Sequence, residues 1–192
     1  MDIVREAEPD ILVITGDLVD SRTSSLDEEA KLMASYGAKY GVYAVTGNHE
    51  FISGRIEHSI DFMKRANIVL LRDAGIDVAG ITILGVDERL VWRTHVPDDS
   101  YFPKDRFVLL LKHRPDIIEG SEGKFDLQLS GHTHGGQIWP FRYAAQWANK
   151  CVQSLSYIEN SAVYVSNGAG FWGPSLRFLT PPEVTVIDLV KL

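Results

Sequence analysis

The chain has 192 residues, of which 45% are hydrophobic and 23% charged, a composition typical of a folded domain. Its formal net charge of −7 does not favour binding to nucleic acid or to an anionic membrane surface. No apolar run reaches the roughly 18 to 20 residues of a membrane span, and the single cysteine excludes an intramolecular disulfide.

In chain order, the first half of the sequence alternates helical and strand patterns. A helix is predicted over residues 1–8 and ends at Pro9. The run Ile11–Thr15 is continuously apolar and rich in β-branched residues, which predicts a strand buried on both faces. The other elements predicted in this half are a helix over 25–36 capped by Ser24 or Ser25, a strand over 40–46 and a helix over 54–66.

The second half is dominated by short strand patterns. The predicted strands cover 68–71, 76–79, 81–86, 108–111, 127–130, 163–166 and 184–189, with a loop or helical turn over 103–107 and a weak helix over 141–155. Because buried strands alternate with helices and no repeat or linker interrupts them, the sequence predicts an α/β class and one layered domain over residues 1–192.

The most informative stretch is residues 131–137, Gly-His-Thr-His-Gly-Gly-Gln. Two histidines spaced two residues apart lie on the same side of an extended segment, and imidazole is the commonest side-chain metal ligand. The glycines allow positive φ angles and a close approach of the backbone to an ion or a phosphate. The stretch therefore predicts metal chemistry.

Residues of metal-binding types also follow three other predicted strands: Asp17, Asn48 with His49, and His113. Since strand carboxyl ends form the ligand crevice of layered α/β proteins, we expect these side chains to converge with the histidines of residues 131–137. Mixed oxygen and nitrogen ligands suit Mn, Fe, Zn or Ni. Two such ions about 3.5–4 Å apart would polarise a phosphoryl oxygen and activate water, and one histidine would remain to protonate the leaving group.

Each of these residues also has a purely structural interpretation. A Gly-Asp pair at a strand end is commonly a turn, and a histidine after a strand, as at His113, is commonly a hydrogen-bonded core residue. Their joint occurrence at four strand ends favours the metal site. His58 and His95 follow no predicted strand, so we expect them on the surface or in loops.

The combined pattern resembles the calcineurin-like metallophosphoesterases over essentially the whole chain. The matching segments are Gly16-Asp17, Gly47-Asn48-His49-Glu50, His113 and Gly131-His132-Thr133-His134. Residues 135–137, 166–170 and 181–183 resemble the branch that contains bacterial phosphodiesterases, often tethered at the membrane, and lipid A-pathway pyrophosphatases. The resemblance implies a four-layer α/β/β/α sandwich.

The resemblance also implies a role for each site residue. Asp17 would bridge two divalent transition metals, and His134 would bind one of them. The shell of the other ion would be completed by Asn48, His113 and His132. His49 would not be a ligand but would act as the general acid or stabilise the transition state, and the nucleophile would be a metal-bound hydroxide.

The chain departs from the family pattern at its start. The family opens with a strand that ends in Asp-x-His, and these two residues ligate the metal that His134 also holds. The sequence begins at Met1, and Asp2 lies in the predicted first helix with no histidine two residues after it. We therefore expect an N-terminally truncated domain that lacks the first strand, has one complete metal site and has impaired phosphodiesterase activity.

Three functions are compatible with these patterns. The first is a metal-dependent phosphodiesterase or pyrophosphatase that acts on a lipid-linked or nucleotide-linked phosphoester. The second is a phosphomonoesterase, including a protein phosphatase, and the third is a non-catalytic binding protein or scaffold that keeps a remnant site. We expect a monomer that is cytoplasmic or membrane-associated and has no nucleic acid partner.

Residues outside the main pattern have two interpretations. The aromatic residues within 139–147 and 171–174 form either a hydrophobic lip beside the metals, able to make a peripheral membrane contact, or a cover over the sheet edge. Arg142 and Arg177 are candidates for a phosphate contact. The acidic pair at 87–88 either orients a metal ligand or lies in a solvated turn.

Overall fold

A computed structural model describes residues 2–19, 26–52, 56–88, 101–140 and 154–190. The helices within these ranges are α1 Asp2–Ala7, α2 Asp27–Ala34, α3 Asn48–Ile52 and α4 Ile56–Arg65. The strands are β1 Leu12–Ile14, β2 Val42–Ala44, β3 Ile68–Leu70, β4 Ala74–Val78, β5 Ile81–Gly85, β6 Phe107–Leu111, β7 Leu127–Ser130, β8 Ser154–Ile158 and β9 Ser161–Val165.

The strands form two sheets. The first is parallel, in the order β1-β2-β3. The second has the order β4-β5-β6-β7-β9-β8, in which β5, β6, β7 and β9 are parallel and the two edge strands are antiparallel to their neighbours. Parallel strands place their carboxyl ends at one edge of a sheet, and this arrangement sets the position of the candidate site.

The two sheets pack face to face through alternating side chains. Tyr43 and Val45, at β2 and its end, contribute to the same buried cluster as Leu109 and Leu111 of β6. The alternate residues of these strands point the other way, as the pleat of a strand requires. This cluster is the core between the sheets.

The outer faces of the sheets have separate cores. Val42 and Ala44 belong to a cluster with Phe62 and Met63 of α4, so helices cover the first sheet. The outer cluster of the second sheet contains Val108 and Leu110 with residues of the connecting segments, namely Phe102, Ile118 and Phe125. The predicted α/β class is confirmed: two stacked sheets with helices.

Two strand predictions need correction. The run at β1 is only partly buried, because β1 lies at the edge of the three-stranded sheet in the described chain. The predicted strand over 184–189 is wrong: these residues are exposed and belong to no strand or helix of the described chain. A β-branched run forms a strand only where a neighbouring backbone is available to pair with it.

The predicted helix over 141–155 lies mostly outside the described residues. Leu155 at its end belongs instead to β8, which forms a hairpin with β9 through Glu159 and Asn160. The polar–apolar alternation of residues 154–158 was the available signal for this strand. Ser24 and Ser25, the predicted helix caps, lie outside the described residues, as does His95. Among the described residues, no helix combines the length and apolar character needed to cross a bilayer.

Candidate metal centre

The side chains that follow β1, β2, β6 and β7 meet at one point. His113 Nε2 lies 3.1 Å from Asp17 Oδ2, 3.2 Å from Asn48 Oδ1 and 3.1 Å from His132 Nδ1. One ligand atom from each of Asp17, His113 and His132 lies within 4.8 Å of the others. Loops that are far apart in sequence thus deliver four polar groups to one place, as the strand pattern predicted.

The arrangement around His113 suits a cation. His113 Nδ1 lies 2.7 Å from the Thr15 carbonyl oxygen, so this nitrogen carries the hydrogen and donates it. The other ring nitrogen therefore faces a carboxylate oxygen, an amide oxygen and an imidazole nitrogen. A single proton on His113 Nε2 satisfies one of these acceptors, whereas a divalent metal is attracted by all of them. The residues present therefore fit a metal ion.

Asp17 and His113 shift each other's pKa. Burial works to raise the pKa of Asp17, but the hydrogen bond and charge of His113 outweigh it and lower that pKa. Burial likewise works to lower the pKa of His113, and the same contacts with Asp17 outweigh it and raise that pKa. Each of the two groups thus favours the charged form of the other, and a bound metal would take the place of the proton between them.

His132 is held in its neutral form. Burial lowers its pKa to about 4, and the charge of His113 contributes in the same direction. A neutral imidazole is the form that binds metals. His132 is therefore ready to act as a ligand at neutral pH.

The backbone at this point is strained and closely packed. Asp17 and His132 have φ angles of 54° and 65°, in the left-handed region that non-glycine residues seldom adopt. A Cβ at position 47 would lie 2.1 Å from Asp17 Oδ1, so only glycine fits at this position. At position 16, where φ is 93°, a side chain would place its Cβ 2.7 Å from His113 Nδ1.

His49 lies on the short helix α3, beside the group of Asp17, His113 and His132. Its backbone amide donates a hydrogen bond of 2.9 Å to Asp17 Oδ1, and its side chain is half-buried. The helix fixes His49 next to the carboxylate that is closest to the centre of the site.

His134 is separate from the group of Asp17, His113 and His132. It begins the 3₁₀ turn His134–Gly136, which follows β7, and its buried Nδ1 has no hydrogen-bond partner among the described residues. Burial and then the charge of Arg177 lower the pKa of His134. A buried nitrogen with no partner is costly and is expected where a ligand binds.

Comparison with known proteins agrees with this geometry. Residues 1–136 match the family model for calcineurin-like phosphoesterases. The chain belongs to this family. It is 35% identical to an uncharacterized metallophosphoesterase of Campylobacter jejuni, over 94% of this chain and 50% of that protein. It is 33% identical to one from Aquifex aeolicus, over 97% of this chain and 75% of that protein.

A mammalian relative is named as a transmembrane protein. The chain is 30% identical to the bovine "Transmembrane protein with metallophosphoesterase domain", over 97% of this chain and 47% of that protein. The chain thus spans about half the length of the bovine and Campylobacter jejuni relatives.

Sequence reasoning missed the structural role of Glu50. Its side chain is fully buried and accepts hydrogen bonds from four backbone amides, those of Asp17, Leu18, Val19 and Gly47, at 2.7–3.2 Å. Burial and the charge of Asp17 raise the pKa of Glu50. Glu50 thereby joins the loop that carries Asp17 to the loop that carries Asn48. The signal was the spacing Gly47-x-x-Glu50, a capping-box spacing in which the glutamate reaches back to the first amide.

The solvated turn considered for residues 87–88 is wrong. Asp87 and Glu88 are both buried. Asp87 accepts hydrogen bonds from Arg72 Nε and Nη2 and one of 2.7 Å from Thr46 Oγ1. Glu88 pairs with Arg114 at 2.6 Å. These contacts hold the end of β2, from which Asn48 follows.

The aromatic residues near the site are largely exposed. Trp139 and Trp172 are 48% and 59% exposed, and Phe171 is also exposed. Arg177 is committed to backbone carbonyl oxygens. Arg142 lies outside the described residues.

Proposed function

We propose that this phosphoesterase is a metal-dependent phosphodiesterase or pyrophosphatase. The observation that carries the proposal is the convergence of Asp17, Asn48 and His132 on the outer nitrogen of His113. Membership of a metallophosphoesterase family supports the same general chemistry.

The residues of the site divide between two ions. The first would be held by Asp17, Asn48, His113 and His132, and the second by His134 together with Asp17. The unpartnered Nδ1 of His134 supports the second assignment. When bound, such ions polarise a phosphoryl oxygen and activate the attacking water. The donor set, two oxygen types with imidazoles, suits Mn, Fe, Zn or Ni.

We assign the proton transfer to His49. Its backbone is fixed by the hydrogen bond to Asp17, and its ring is half-buried beside the site. His49 is not one of the residues whose nitrogen or oxygen atoms meet at His113 Nε2. An imidazole in this position can donate a proton to the departing oxygen, which would otherwise leave as a costly alkoxide.

The surroundings favour an apolar substrate group. Among residues 131–140 and 166–182, Arg177 is the only lysine, arginine, aspartate or glutamate. The same ranges contain the exposed Trp139, Phe171 and Trp172. Such a surface suits a lipid-linked phosphoester and a peripheral contact with a membrane. The name of the bovine relative, a transmembrane protein, is compatible with this setting.

A paired assay tests the proposal. The metal-loaded chain is given bis-p-nitrophenyl phosphate and p-nitrophenyl phosphate at equal concentrations, and His49→Ala is measured in parallel. Faster hydrolysis of the diester, lost in His49→Ala, supports the proposal. Faster hydrolysis of the monoester indicates a phosphomonoesterase, and a chain that binds metal but hydrolyses neither compound indicates a scaffold.

A further inference from the structure

The turn that carries His134 has an unusual backbone. Its four successive residues, His134, Gly135, Gly136 and Gln137, have φ angles of 49°, 59°, 77° and 51°. Two of them are not glycine, and a non-glycine residue in the left-handed region is strained. Contacts from elsewhere in the fold must therefore hold this turn in place.

Those contacts come from residues 177–180. Arg177 Nη1 donates to the His134 carbonyl oxygen at 3.3 Å. The Phe178 amide donates to the Gln137 carbonyl oxygen at 3.0 Å, and Thr180 Oγ1 donates to the Gly135 carbonyl oxygen at 3.4 Å. Three carbonyl groups of the strained turn are thus bound by a single short segment.

Arg177 also binds a second loop. Its Nε donates to the Gly170 carbonyl oxygen at 2.7 Å, and its Nη2 donates to the carbonyl oxygens of Asn167 and Gly168 at 2.8 and 3.1 Å. The planar guanidinium presents donors in fixed directions and can join two backbones at a set distance. A lysine carries one ammonium and cannot reproduce this fork.

We propose that Arg177 is a positioning residue for His134: it binds the His134 carbonyl oxygen and the 167–170 loop together, and so sets the imidazole for the second metal ion. The proposal rests on the proposed function, because it takes His134 to be a ligand. Arg177 acts through the backbone of the turn and touches neither metal nor substrate in this role.

The test uses Zn²⁺ alone, added to the ¹⁵N-labelled chain, with the ring signals of each histidine followed by NMR. In Arg177→Ala we expect the Zn²⁺ response of the His134 ring to weaken by about 10- to 100-fold, the usual effect of losing a group that orients a ligand. The responses of the His113 and His132 rings should stay within about twofold, because strands carry them. Arg177→Lys should weaken the His134 response by an intermediate amount.

The matched control is Glu183→Gln. Glu183 binds the Asn167 side chain at 2.8 Å, and so holds the same loop without touching the His134 turn. We expect it to leave the His134 response unchanged. An Arg177→Ala chain whose His134 ring responds to Zn²⁺ as in the wild type would overturn the proposal, and so would equal losses at all three rings.

If Arg177→Ala does not fold, as judged by its amide spectrum, Arg177→Lys decides the question by the same comparison. A wild-type chain in which only His134 fails to respond to Zn²⁺ also overturns the proposal. Failure of His113, His132 and His134 together would instead overturn the proposed function.

Discussion

The two halves of the candidate metal centre are built in different ways. Asp17, His113 and His132 lie directly after strands of two packed sheets, and their polar atoms meet at about 3 Å. His134 lies in a turn of positive φ angles that is held by a segment more than forty residues later in the chain. The first half is fixed by strand pairing and the second by a few long-range contacts. The two halves should therefore respond differently to mutation.

The largest effect is expected for Asp17→Asn. This change removes the charge that pairs with His113 while it keeps the shape of the side chain. We expect metal affinity to fall by at least about 100-fold, more than the loss of an orienting group costs, and hydrolysis to fall to background. Calorimetric Zn²⁺ titration and the diester assay measure both. If Asp17→Asn kept the wild-type affinity for Zn²⁺, the group of Asp17, His113 and His132 would not be the metal site.

His49→Ala separates proton transfer from metal binding. We expect turnover of the diester to fall by about 10²- to 10⁴-fold, the usual contribution of a general acid, while Zn²⁺ affinity stays within about twofold. His58→Ala, a substitution of the same type at an exposed position of α4, should change neither quantity. Loss of metal affinity in His49→Ala would identify His49 as a ligand instead.

Glu50→Gln tests the connection between the loop that carries Asp17 and the loop that carries Asn48. The amide has one oxygen in place of two and brings hydrogens toward the backbone amides of residues 17–19 and 47. We expect the free energy of unfolding to fall by about 2 kcal/mol, as for a lost hydrogen bond to a charged group. Urea unfolding measures this change.

Its control is Glu28→Gln. Glu28 forms an exposed pair with Lys31 on α2, and an exposed pair of this kind contributes at most about 0.5 kcal/mol. Equal losses in the two variants would contradict the role assigned to Glu50.

A smaller effect is expected in the pH dependence of the metal-free chain. The pKa of His132 is about 4 in the folded chain and 6.5 for an ordinary histidine. Between these values the unfolded chain binds a proton that the folded chain does not, so this group lowers stability as the pH falls. His132→Gln should therefore lose less stability than the wild type between about pH 7 and about pH 4.5.

Unfolding curves at several pH values measure the difference. His58→Gln, at an exposed position of α4, is measured in parallel as the matched control. An unchanged pH dependence in His132→Gln would show that His132 is not held neutral by burial.

The convergence of the side chains that follow the strands could be predicted from the sequence. Each of Asp17, Asn48, His113 and His132 follows an apolar run, and parallel pairing brings such positions together whatever their separation in sequence. The same reasoning gave the α/β class. These features depend on local patterns and on one general property of parallel sheets.

The rest depended on contacts that no local pattern encodes. The hydrogen bond from Arg177 to the His134 carbonyl oxygen joins residues 43 positions apart. The acidic pair at 87–88 is buried because Arg72 and Arg114 pair with it. The run over 184–189 has strand propensity but no pairing backbone in the described chain. Propensity was a poor guide there because a strand is stabilised by its neighbour.

We infer that Asp17, Asn48, His113 and His132, rather than the His134 turn, hold the tightest metal ion. The most direct test is the number of Zn²⁺ ions that each chain retains after dialysis against metal-free buffer, for the wild type, His132→Ala and His134→Ala. We predict one retained ion in the wild type and in His134→Ala, and none in His132→Ala. An ion retained by His132→Ala and lost by His134→Ala would contradict this assignment.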